Sequence, residues 1–72
     1  MSTLQRIASD LADDAVDYMK ETGEDRFYYE VASVLGAASQ TLEEVFLTEV
    51  RVRLAGNTAK EFINKRRAAL KT

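Results

Sequence analysis

The 72-residue chain contains no cysteine, histidine, proline or tryptophan, and only three glycines. Without cysteine, neither a disulfide nor a thiolate metal site can form. Without histidine, the commonest transition-metal ligand and the usual general base near neutral pH are missing. Without proline, and with little glycine, helices meet few interruptions. No apolar run approaches the ~20 residues of a membrane-spanning helix. The opening Met1-Ser2-Thr3-Leu4 lacks the charged and apolar blocks of a secretory leader, so a cytoplasmic, unprocessed protein is expected. A chain this short buries a modest share of its surface. With disulfides and thiolate sites excluded, tight helix packing or self-association is left to widen its stability margin.

Hydrophobic residues make up 46% of the chain and charged residues 31%, which places it among ordered globular proteins rather than disordered ones. The net charge of −2 conceals an asymmetry. Residues 1–30 carry eight acids against three bases, whereas residues 60–72 carry Lys60, Lys65, Arg66, Arg67 and Lys71 against Glu61 alone. One end is acidic and the other basic.

Apolar spacing predicts an all-α fold of three to four helices, over about 3–21, 25–38, 42–55 and 59–70, in a single domain covering 1–72. Ser2 or Thr3 caps the first helix, and Leu4, Ile7, Ala8, Leu11, Ala15, Tyr18 and Met19 form its apolar stripe. Gly23 suits its end, since glycine enters the left-handed region without steric cost. The second helix is expected to start near Glu24 or Asp25 and to bury Phe27, Val31, Val34, Leu35 and Ala38. Residues 36–41 form either a turn or continuing helix. Thr41 and Glu44 have the form of a capping box. Yet the apolar faces on either side align within roughly 50°, so one long helix from about 25 to 55 stays open. Gly56-Asn57 reads as a stop, with Thr58 and Glu61 capping the last helix.

The segment 42–55 spreads its apolar residues over roughly 220° of a helical wheel, more than one facing helix covers. It is therefore expected to be central in the bundle or shared with a second subunit. Val50-Arg51-Val52-Arg53-Leu54 alternates like a strand, but no partner strand is legible elsewhere, so helix is favoured.

No constellation carries obvious chemistry. Asp10, Asp14, Asp17 and Glu21 share one helix face, but a row on a straight helix does not converge on a cation, and a solvated face is the simpler account. No histidine activates a hydroxyl, no lysine has an apolar context, and no glycine-rich phosphate loop exists. An enzyme is not expected, nor a cofactor, a metal or a small-molecule substrate. Phe27-Tyr28-Tyr29 points in three directions on a helix: Phe27 into the core, Tyr28 at its border, Tyr29 outward as an interface anchor or a tyrosine packed with its hydroxyl in water.

The stretch from Val31 to Val45 places Ala32, then Gly36 four positions on, then Leu42 and Val45. In this it resembles the helix-turn-helix motif of bacterial and phage repressors, over about twenty residues. The resemblance implies that Ser39, Gln40, Thr41 and Glu44 begin a recognition helix facing base edges. Phosphate contacts would then come from Arg51, Arg53, Lys65, Arg66 and Arg67. Glu43, Glu44 and Glu49 depart from the family's basic or neutral residues, and the net charge of −2 disfavours nucleic acid.

The expectation that follows is a non-catalytic protein–protein interaction module, completed as a homodimer and engaging itself and an unidentified protein. Its interface is expected at Tyr29, Leu42, Phe46, Leu47, Val50 and Leu54. The alternative is a small helix-turn-helix DNA-binding regulator.

Overall fold

The computed structural model describes residues 2–71. These form a small all-helical bundle of three helices and, among the described residues, no strand: α1 (Thr3–Thr22), α2 (Phe27–Ala38) and α3 (Gln40–Leu70).

Each helix end has a local cause. The Ser2 side chain accepts a hydrogen bond from the Gln5 N–H, occupying one of the donors that a helix start leaves unpaired. At the other end of α1, Gly23 takes φ 76° and its N–H donates to the Met19 carbonyl at 2.8 Å. The expected cap residues thus serve at both ends of α1. The second helix begins later than expected, at Phe27. Residues 24–26 form a turn in which the Glu24 carbonyl accepts from the Phe27 N–H.

Between α2 and α3 the helix breaks for one residue. Ser39 is extended (φ −157°, ψ 108°) and ends one helix while starting the next. Its N–H donates to the Leu35 carbonyl at 2.8 Å, its Oγ accepts from the Leu42 N–H at 3.1 Å, and its carbonyl accepts from the Glu43 N–H. A single continuous helix over 25–55 is therefore excluded. The cap is Ser39 rather than Thr41, because Ser39 is where the backbone leaves helical angles and its hydroxyl can reach the next turn. α2 folds back beside α3. Gly36 lies against the Glu43 side chain, and the Tyr28 and Tyr29 phenols lie beside Arg51. A Cβ at position 36 would stand 2.7 Å from a Glu43 carboxylate oxygen, the movable end of that side chain.

Gly56-Asn57 does not stop the chain: α3 runs for 31 residues through both. One glycine costs a helix only about 1 kcal/mol, which does not outweigh the continued hydrogen-bond ladder. Thr58 does not cap either, since its hydroxyl donates back to the Leu54 carbonyl at 3.0 Å inside the helix. The expected third and fourth helices are thus one.

The core forms where all three helices meet: Ala8, Ala12, Ala15, Val16 and Met19 of α1, Tyr28 and Ala32 of α2, Phe46 and Val50 of α3. α3 packs against both other helices, with Phe46 and Val50 fully buried. On α2 the burial is rotated from the expected face. Tyr28 is buried, Phe27 only partly so, and Val34 is 74% exposed. The row Tyr28–Ala32–Leu35 meets the bundle, so Phe27, Val31 and Val34 fall to its margin.

Candidate interaction surface

Two apolar features of this bundle are left uncovered. The first is on α1, where Ala8, Ala12, Ala15, Val16 and Met19 line the core and a second row of large apolar residues does not. The fully or nearly fully buried positions include Ala8, Ala12 and Ala15. Leu4 and Leu11 are half-buried, and Ile7 and Tyr18 are exposed. At about 100° per residue this second row lies roughly 100° around the helix from the buried one. Alanines bring α1 close to α3, while Leu11 and Tyr18 border a groove between α1 and α2. That groove encloses about 270 Å³ and is lined by Leu11, Asp14, Ala15, Tyr18, Phe27 and Val31. Tyr18 and Phe27 meet across it with ring centroids 4.2 Å apart.

Charge gathers at the groove's edge. Asp10, Asp14 and Glu21 are exposed along the flank of α1 next to its large apolar row. The nearby Glu24 carboxylate raises the Tyr18 pKa above the ordinary tyrosine value; slight desolvation and the charges of Glu30 and Glu21 act the same way. One end of the groove is therefore electronegative.

The second feature is the end of α3. From Thr58 to Lys71 every residue is exposed, and this arm gives the protein its long dimension of 52 Å, against 28 and 14 Å. Phe62 and Ile63 are each 52% exposed and Leu70 is 82% exposed. These residues, with Val52 and Ala59, lie roughly 150° around α3 from Phe46 and Val50, so the arm's apolar face is turned away from its own bundle. Lys65, Arg66 and Arg67 accompany it, with the Arg66 guanidinium 5.3 Å from the centre of the Phe62 ring.

The expected interface residues are divided by the fold. Phe46 and Val50 lie wholly inside the chain's own core and offer no surface. Leu42, Leu47 and Leu54 are half-buried against that core. Tyr29 is 46% exposed and stacks on Tyr28, with ring centroids 4.3 Å apart. The Tyr28 hydroxyl and the Arg51 guanidinium lower the Tyr29 pKa, while the Tyr28 pKa is raised, chiefly by Tyr29. The apolar surplus lies instead on the arm and in the α1/α2 groove, regions that the breadth of the 42–55 stripe did not signal. The outward Leu4–Ile7–Leu11–Tyr18 row was legible only as part of a wider stripe.

The candidate nucleic-acid residues are not gathered. Gln40 and Thr41 are exposed on the first turn of α3, beside Glu43 and Glu44. Lys65, Arg66 and Arg67 lie about 38 Å away along the same helix. Arg51 sits by the two tyrosines. Arg53 is held inside the molecule: it donates to Asp13 at 2.7 Å, to the Glu49 carboxylate at 2.8 Å and to the Ser9 hydroxyl at 2.8 Å. Gly36 is inside α2 rather than in a turn, and the link to α3 is one residue, which makes an αα-hairpin. The acidic row on α1 does not converge, and among the described residues no group of three or more carboxylates could hold a metal ion. No described helix is long and apolar enough to cross a membrane.

Comparison with family models, with curated proteins and with solved structures finds no match to this chain.

Proposed function

We propose that this chain is a non-catalytic protein–protein interaction module that associates with a second copy of itself. The observation that carries this reading is the arm of α3, whose Phe62, Ile63 and Leu70 stand in solvent on a face turned away from the bundle. Burying a large apolar side chain contributes about 1.5–3 kcal/mol, so an arm with three of them gains most from a contact that its own chain does not supply. The α1/α2 groove adds a second uncovered apolar surface. The nucleic-acid alternative has less support, because its basic residues are dispersed and Arg53 is already engaged.

Sedimentation across the micromolar range tests the proposal. The full chain is expected to sediment as a species heavier than its 8.1 kDa monomer. Phe62→Lys with Ile63→Lys should return it to monomer with its helical circular dichroism intact. A wild-type chain that stays monomeric throughout, or a double variant that associates as the wild type does, overturns it.

A further inference from the structure

The two uncovered features are both apolar and are opposite in charge. On α1 the groove runs from Leu11 to Tyr18, about 10 Å at 1.5 Å per residue. The Phe62–Arg67 stretch of the arm is about 8 Å long by the same rise. The groove is apolar along its floor and acidic along the α1 flank, at Asp10, Asp14 and Glu21. The arm's exposed Phe62 and Ile63 lie about 100° apart on α3, with Arg66 between them and Lys65 and Arg67 at either edge. Each supplies what the other lacks.

The arm does not reach the groove of its own chain. α3 is a continuous helix, so the arm runs on past the bundle with its apolar face turned outward. Pairing one arm with another is disfavoured by charge, because it brings Lys65, Arg66 and Arg67 of both copies together, and like charges placed opposite each other repel.

We infer that the arm of residues 58–70 docks in the α1/α2 groove of a second copy of this chain, so that two copies exchange arms. The inference rests on the self-association proposed for the chain and specifies where it occurs. Docking sets Phe62 and Ile63 over Leu11, Tyr18, Phe27 and Val31. It brings Arg66, which lies between Phe62 and Ile63 around the helix, towards Asp14 and Glu21. Each copy contributes one arm and one groove, giving a closed, isologous pair.

A charge-exchange experiment on the full chain tests this. One variant reverses the rim (Asp14→Lys, Glu21→Lys); the other reverses the arm (Lys65→Glu, Arg66→Glu). Each alone should weaken association about tenfold or more while keeping its helical circular dichroism. An equimolar mixture of the two should recover wild-type association, because each groove then meets an arm of opposite sign. The chain has no cysteine, so single replacements give a second measurement that tolerates a destabilised charge variant. Leu11→Cys mixed with Ile63→Cys should form the mixed disulfide in preference to either like pair. If the rim-reversed chain associates as the wild type does, or the mixture fails to recover, or like disulfides predominate, arm exchange is overturned while self-association stands. A wild-type chain that is monomeric throughout overturns both.

Discussion

Arg53 on α3 and Asp13 on α1, forty positions apart, are joined by an Nε···Oδ1 hydrogen bond of 2.7 Å. The same guanidinium also donates to the Glu49 carboxylate and carbonyl and to the Ser9 hydroxyl, so one side chain ties α1 to α3 through both prongs of its fork. Its Glu49 and Asp13 partners raise its pKa above the ordinary arginine value.

Replacing Arg53 by Ala is expected to lower stability by about 1–2 kcal/mol. Arg53 is partly shielded, but Asp13 is mostly exposed and contributes as a surface pair does. Arg53→Lys should recover little, since an ammonium does not satisfy acceptors spread around a planar fork. Thermal denaturation checks both, at roughly 4–8 °C per kcal/mol for a domain of this size.

Ser39→Ala is expected to cost about 1 kcal/mol, because it removes the acceptor for the Leu42 N–H at a helix start. Thr41→Ala should be close to neutral, since Thr41 lies inside α3. Chemical denaturation of the two single variants side by side is the measurement, and the reverse order would place the cap at Thr41.

Gly56→Ala should stabilise the chain by about 0.5–1 kcal/mol and raise its helical circular dichroism. A Cβ there meets nothing within 4 Å, and the residue lies within α3. A loss of stability would mean that the chain turns at this position.

The three tyrosines should ionise in a fixed order, with Tyr29 before Tyr18 and Tyr28. Absorbance titration of the phenolate, repeated on Tyr29→Phe, should show the earliest step vanish. The raised values of Tyr18 and Tyr28 give stability that is full below the unfolded tyrosine pKa, about 10, and lost as pH rises through the folded values. Tyr29, whose folded value is lowered, acts in the opposite sense over the same region.

Helix content and the termini of α1 were legible because each rests on neighbours in sequence: Ser2 with Gln5, Gly23 with Met19. The passage through Gly56-Asn57 was not, because glycine and asparagine are stop signals by propensity alone and the cost of overriding them is small. The rotation of α2 was hidden too. Tyr28 and Phe27 are adjacent and both aromatic, and packing against α3 decides which one goes inside. The candidate surface was the least legible of all. An apolar stripe on a wheel gives no sign of which part its own chain covers, so Phe46 and Val50 read as interface when they are core.

The one-residue corner at Ser39 also bears on how the molecule assembles. Joining α2 to α3 closes the shortest loop available between two helices, so little chain entropy is lost before Gly36 meets Glu43. Bringing Ser9 to Arg53 closes a span of 44 residues and costs more. On loop closure alone the α2/α3 hairpin is expected to form before the α1/α3 seam, and substitutions in the Ala8–Ala12 seam should act mainly on the unfolding rate rather than the folding rate.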